Sequence, residues 1–155
     1  MGTAELACPS LVALNECKGI DVVSVVTQPN RPRGRKLQSQ PSSVKQCAED
    51  LNLPIQQPET LRDRGAFSTL LVLEPDLIVV AAYGQILPTA VLDLPSHGCL
   101  NIHASILPKY RGAAPIQWAL LNGDNETGVT IMLMDAGLDT GDIVSEARTP
   151  IGSHD

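Results

Sequence analysis

Four short apolar runs, each rich in β-branched residues, constrain this chain more than any other feature. They are 21–28 (DVVSVVTQ), 76–84 (DLIVVAAYG), 99–105 (CLNIHAS) and 128–135 (GVTIMLMD). Continuous runs of this kind suit strands buried on both faces, the condition of a parallel sheet. Between them lie helix-compatible stretches at 9–19, 42–52, 65–74 and 113–123. Pro9 falls at a first turn, Ser42 and Ser43 are good N-caps, and Asn122-Gly123 is a stop. Strand and helix in alternation predict an α/β domain wound around a mostly parallel sheet, with helices on both faces. A length of 155 residues fits one domain, 1–155, with room for a real core.

Composition removes other classes. The chain is 43% hydrophobic and 18% charged, which reads as globular rather than disordered. No apolar run approaches the roughly 20 residues of a membrane span, and the first residues do not have the basic start of a signal peptide. A soluble, cytoplasmic or organellar monomer is expected. Cys8, Cys17, Cys47 and Cys99 show neither CxxC pairing nor metal-type spacing with histidine, so a reducing compartment and no metal are expected. The formal net charge of −6 makes no global case for nucleic acid. Yet Arg31, Arg33, Arg35 and Lys36 concentrate four of the eleven cations in six residues. They lie in 27–43, the one long connection expected to be irregular, and a local basic loop on an acidic body can be a phosphate site. The chain also opens on a Gly-containing turn with no strand before it and stops just after a strand-like piece. Both ends are therefore expected to lack an element that wound α/β domains normally have.

The chemistry concentrates at one place. Asn101 and His103 stand two apart on a strand, so they face the same way while Ile102 faces the opposite side. In wound sheets, ligands sit beyond the carboxyl ends of the strands, and the loop 134–143, carrying Asp135, Asp139 and Asp142, is expected at that same edge. Asn, His and Asp without Ser or Cys do not make a nucleophilic triad. They suit transfer of an acyl-type group onto an amine. The imidazole takes or relays the amine proton, a carboxylate orients it, and the amide donates to an oxyanion, a role worth roughly 3–4 kcal/mol elsewhere. Taken alone, Asn-x-His on a strand is more often a satisfied polar pair, and an Asp-rich glycine loop more often a turn.

The segment GCLNIHASILPKYRGAAPIQWALLNGDNETGVTIMLMDAGLDTGDIV resembles the core of the 10-formyltetrahydrofolate-dependent formyltransferases, most closely the branch acting on initiator methionyl-tRNA. The resemblance implies a Rossmann-like formyltransferase fold, here without its first strand and without a C-terminal domain. It implies Asn101, His103 and Asp139 as the catalytic trio, with 10-formyltetrahydrofolate as co-substrate and no metal. It implies a folate pocket drawn from Tyr83, Gly84, Ile86, Leu87, Ser105, Leu107, Pro108, Asp139 and Asp142. The loop around QPNRPRGRK is similar to the tRNA-contacting loop of that branch, with Arg35 at the position most implicated and Arg31, Arg33 and Lys36 around it. Two other readings stand beside this one: a formyltransferase acting on an amino sugar nucleotide, and a non-catalytic folate-binding fragment.

Overall fold

Val25 and Val26 point to opposite faces of one strand, and each face is covered separately. A computed structural model describes residues 1–33, 38–152 and 154–155, with the backbone alone at Arg33 and Gln38. Strand β1 (Val25–Val26) pairs in parallel with β4 (Ile55–Gln56), and β5 (Ile78–Ala81) pairs in parallel with β6 (Cys99–His103). Val25 and Ala81 join Ala7, Val44 and Ala48 in one apolar cluster beneath α1 (Cys8–Glu16) and α2 (Ser43–Asp50). Val26, Ile78 and Val80 join Leu61, Leu70, Leu87, Val91 and Cys99 in the other, beneath α3 (Arg64–Val72) and α4 (Thr89–Leu92). Helices on both faces follow directly from that alternation. Two of the helices begin where the side chains say they should: Ser42 accepts the Lys45 N–H and Asp63 accepts the Ala66 N–H, each at 3.0 Å.

Between β1 and β5, where a central strand is expected, the chain places Met1 and Gly2. Gly2 donates to the Val26 carbonyl and bridges Ala81 in parallel, while Ala81 donates to the Met1 carbonyl. A Cβ on Gly2 would stand 2.8 Å from the Ala7 Cβ and 2.9 Å from the Ala81 carbonyl oxygen, so this close approach needs glycine. A cavity of about 470 Å³ continues from Met1 and Gly2 toward the amino ends of β1 and β5.

The structure departs from the sequence reading in three places. Strand β7 (Glu126–Leu133), expected to be parallel, runs antiparallel to β6, and β8 (Ile143–Pro150) runs antiparallel to β7. The cause lies in the connection. The segment after His103 stays at the carboxyl rim, where Lys109 is bonded to Asp124, and α5 (Pro115–Leu121) has two turns, too few to carry the chain back to the opposite edge. Second, the stretch expected to be irregular contains a hairpin, β2 (Arg31–Arg33) against β3 (Gln38–Gln40). Third, an antiparallel β7 releases the 134–142 loop beside Cys99 rather than at the rim.

Candidate active site

Strand β6 carries the first two groups. His103 pairs across to Thr130, and its side chain is 8% exposed; Asn101, on the same face, is half-buried. The third group arrives by a longer route. The 134–142 loop leaves β7 at Met134, whose N–H donates to the Cys99 carbonyl, and turns back so that the Leu133 N–H meets the Asp142 carbonyl. Its shape is set internally: the Asp135 carboxylate accepts from the Gly137 N–H and from the Thr140 hydroxyl. Gly141 passes so close to the Leu133 carbonyl that a Cβ would collide with it. Asp139 then sits in the left-handed region, φ 50°, with its side chain turned to β6.

Asp139 is the hub. Its Oδ1 accepts from Asn101 Nδ2 at 3.1 Å, its Oδ2 accepts from the Gly112 N–H at 2.7 Å, and Oδ2 lies 3.6 Å from His103 Nδ1. The other imidazole nitrogen, Nε2, lies 2.9 Å from the Tyr110 carbonyl. An Asn101 N–H remains beyond the one given to Asp139, so an amide donor, an imidazole and a carboxylate converge on one spot. Such a group can hold a developing negative oxygen and move a proton beside it.

The remaining expected site residues divide by burial. Gly84 and Ile86, just past β5, and Asp142 are exposed; Ile86 is 80% exposed. Tyr83 lies in the core instead. Burial pushes its phenol up to about 12, and its hydroxyl is a buried polar atom without a hydrogen-bond partner among the described residues. Its carbonyl accepts from Thr3 Oγ1 and Gln28 Nε2. Leu87 is also core. Ser105 is buried and its hydroxyl donates to the Lys109 carbonyl at 2.7 Å. Leu107 is buried, and Pro108 follows it through a cis peptide bond. Arg31 is exposed on β2, Arg33 lies on the same strand, and Arg35 and Lys36 fall outside the described residues. Among the described residues, no group of three His, Cys, Asp or Glu side chains could hold a metal, and no helix is long and apolar enough to cross a membrane.

Sequence reasoning missed Tyr110, Asp124 and Thr130, which hold the segment after His103. Thr130 is fully buried, donating to the Ser105 carbonyl at 2.7 Å and accepting from the Leu107 N–H at 3.1 Å. A hydroxyl inside an apolar run was the available signal.

The formyl transferase family profile matches residues 2–155, and the chain belongs to that family. Its curated relatives narrow the comparison. It is 56% identical over 153 residues to the methionyl-tRNA formyltransferase of Citrifermentans bemidjiense, covering 99% of this chain and 48% of that protein. It is 54% identical over 152 residues to the methionyl-tRNA formyltransferase of Geobacter sulfurreducens, covering 98% and 48%. The chain thus spans about half the length of the curated relatives it matches. Among solved structures, the phosphoribosylglycinamide formyltransferases of Streptococcus pneumoniae and Bacillus halodurans superpose with TM-scores of 0.77 and 0.79. Identities there are 23% and 20%, with 99% of this chain and 82% and 79% of those chains covered, a likeness of fold.

Proposed function

We propose that this chain is the catalytic part of an enzyme transferring the formyl group of 10-formyltetrahydrofolate to the α-amino group of initiator methionyl-tRNA. The observation that carries this reading is Asp139 bonded to Asn101 and facing His103 at 3.6 Å. The substrate amine loses a proton to His103 as it attacks the formyl carbon, and that proton passes to the donor nitrogen as its bond to the formyl carbon breaks and tetrahydrofolate leaves. Asp139 faces the imidazolium that results, and Asn101 donates its remaining N–H to the oxygen that gains negative charge. When bound, the folate supplies a formyl group on nitrogen, already activated toward an amine.

The exposed groups just past β5 and on the 134–142 loop fit a flat, polar-edged pterin. Gly84 offers open backbone, Ile86 and Leu138 offer apolar surface at 80% and 67% exposure, and Asp142 is free to accept hydrogen bonds. Tyr83, Leu87, Ser105 and Leu107 contribute backbone and support. The basic hairpin from Arg31 onward meets phosphates of the acceptor end, each cation releasing counterions as it does so. The relatives' name supports the tRNA substrate.

The test is formyl transfer to methionyl-tRNA by the chain and its His103→Ala variant, alongside equilibrium binding of a folate. The variant is expected to lose turnover and keep folate binding. Turnover at the unsubstituted rate in the variant, or transfer to an amino sugar nucleotide in preference to methionyl-tRNA, overturns the proposal.

A further inference from the structure

Tyr110 is an aromatic residue in the left-handed region, with φ at 61°, where a side chain is strained and glycine is not. Three side chains hold it there. Its hydroxyl donates to Asp124 Oδ2 at 2.8 Å and accepts from Asn122 Nδ2 at 3.0 Å. Lys109 Nζ reaches both Asp124 oxygens at 2.8 Å and lies 5.0 Å above the Tyr110 ring. On the inner side, Ser105 Oγ fixes the Lys109 carbonyl at 2.7 Å. A glycine at 110 would adopt this backbone freely but would offer Asp124 nothing to hold.

What the strain delivers is the Tyr110 carbonyl, 2.9 Å from His103 Nε2. A carbonyl oxygen only accepts, so Nε2 must carry the hydrogen. A neutral imidazole has one N–H, which leaves Nδ1 with its lone pair, on the side of Asp139 at 3.6 Å. Asp139 Oδ2 is also an acceptor, already engaged by the Gly112 N–H. The basic nitrogen therefore has no hydrogen-bond donor among the described residues and stands beside Asp139.

We propose that Tyr110, braced from outside by Asp124, is a positioning residue that selects the Nε2–H tautomer of His103 and so makes Nδ1 the proton-accepting nitrogen. This deepens the function proposed above and rests on it for its catalytic consequence, although the tautomer itself does not depend on that function. Asp124 stands at the entrance to β7, so the brace ties the geometry of the base to the strand that makes the sheet antiparallel. Its carboxyl is held below the ordinary value by the hydrogen bonds from Lys109 and Tyr110, so it is ionised above the ordinary carboxylate range.

The experiment is a long-range ¹H–¹⁵N imidazole spectrum of the full chain with the His103 ring neutral, for the unsubstituted protein, Tyr110→Phe, Asp124→Ala and Asp124→Asn. The unsubstituted protein is expected to show His103 protonated at Nε2. Tyr110→Phe and Asp124→Ala are expected to mix the tautomers and to lower kcat for formyl transfer about tenfold at nearly constant KM, in proportion to the fraction of rings left in the competent tautomer. Asp124→Asn, which keeps an acceptor for the Tyr110 hydroxyl, is expected to stay close to the unsubstituted spectrum. A His103 protonated at Nδ1 in the unsubstituted protein overturns the proposal even if both disruptive variants fail to fold. So does a spectrum unchanged in variants that fold. An Nε2–H tautomer in a chain inactive on methionyl-tRNA leaves the brace standing and removes the function instead.

Discussion

Replacing Thr130 by Val tests whether hydrogen bonding or packing holds the segment that leaves the active strand. The two residues have nearly the same shape, and Thr130 is fully buried, so the change exchanges a hydroxyl for a methyl in place. That hydroxyl joins the Ser105 carbonyl at 2.7 Å to the Leu107 N–H at 3.1 Å. Val leaves both backbone groups without a partner, at about 1–3 kcal/mol each. The added methyl returns roughly 0.8 kcal/mol of burial. The expected net loss is about 1–5 kcal/mol, a large share of the roughly 5–15 kcal/mol a domain has in total. Equilibrium urea unfolding followed by far-ultraviolet circular dichroism measures it. Thr130→Ser sharpens the test, because it keeps the hydroxyl and gives up a methyl, at about 1 kcal/mol. The hydrogen-bond argument therefore ranks Ser above Val, and a packing argument ranks them in reverse. A Val variant at least as stable as the Ser variant refutes the reasoning.

Further outcomes follow from other contacts. Ser42→Ala removes both the cap on the Lys45 N–H and the partner of the buried Thr27 hydroxyl at 2.7 Å, and should cost about 1–2 kcal/mol in the same unfolding assay. Asp139→Asn can satisfy the Gly112 N–H with its oxygen only if its amide then donates to a flipped Asn101. The variant should therefore remain folded by thermal melt yet lose at least about a hundredfold in formyl-transfer rate, since the Asn101 donor is re-aimed. The lowered Asp124 carboxyl makes the unfolded chain the stronger proton binder in acid. Its stabilising contribution is complete above the ordinary carboxylate range near about pH 4 and fades as pH falls through its lowered folded value. Urea midpoints of the chain and Asp124→Asn should converge there. Cys99 is buried and its thiol is pushed up to about 11 by burial, whereas Cys17 is exposed. A disulfide reagent should modify Cys17 first and reach Cys99 only as the protein unfolds, as peptide mapping would show.

What could be read from the sequence and what could not separate along a physical line. Local geometry is carried by neighbours in the chain. A two-residue period on a strand places Asn101 and His103 together without any knowledge of the rest, and Ser42 marks a helix start because its hydroxyl reaches the N–H three residues on. The two-faced burial of the sheet was legible for the same reason, in the β-branched runs that became β1, β5 and β6. The direction of β7 was not, because its apolar Val129 and Ile131 are half-buried while Gly128, Thr130 and Met132 are the residues turned to the interior. Hydropathy there marks a strand but not the partner it faces.

The sequence by itself determined an α/β chain with an amide and an imidazole on one strand face, since these depend on bond geometry over two to four residues. Only the tertiary structure decided how Asp139 reaches them from the far end of an antiparallel strand, and which ring nitrogen of His103 is free. Both depend on contacts between residues dozens of positions apart. There the position of one carbonyl or carboxylate oxygen is set by loops whose own side chains, Asp135 and Asp124, hold them in shape.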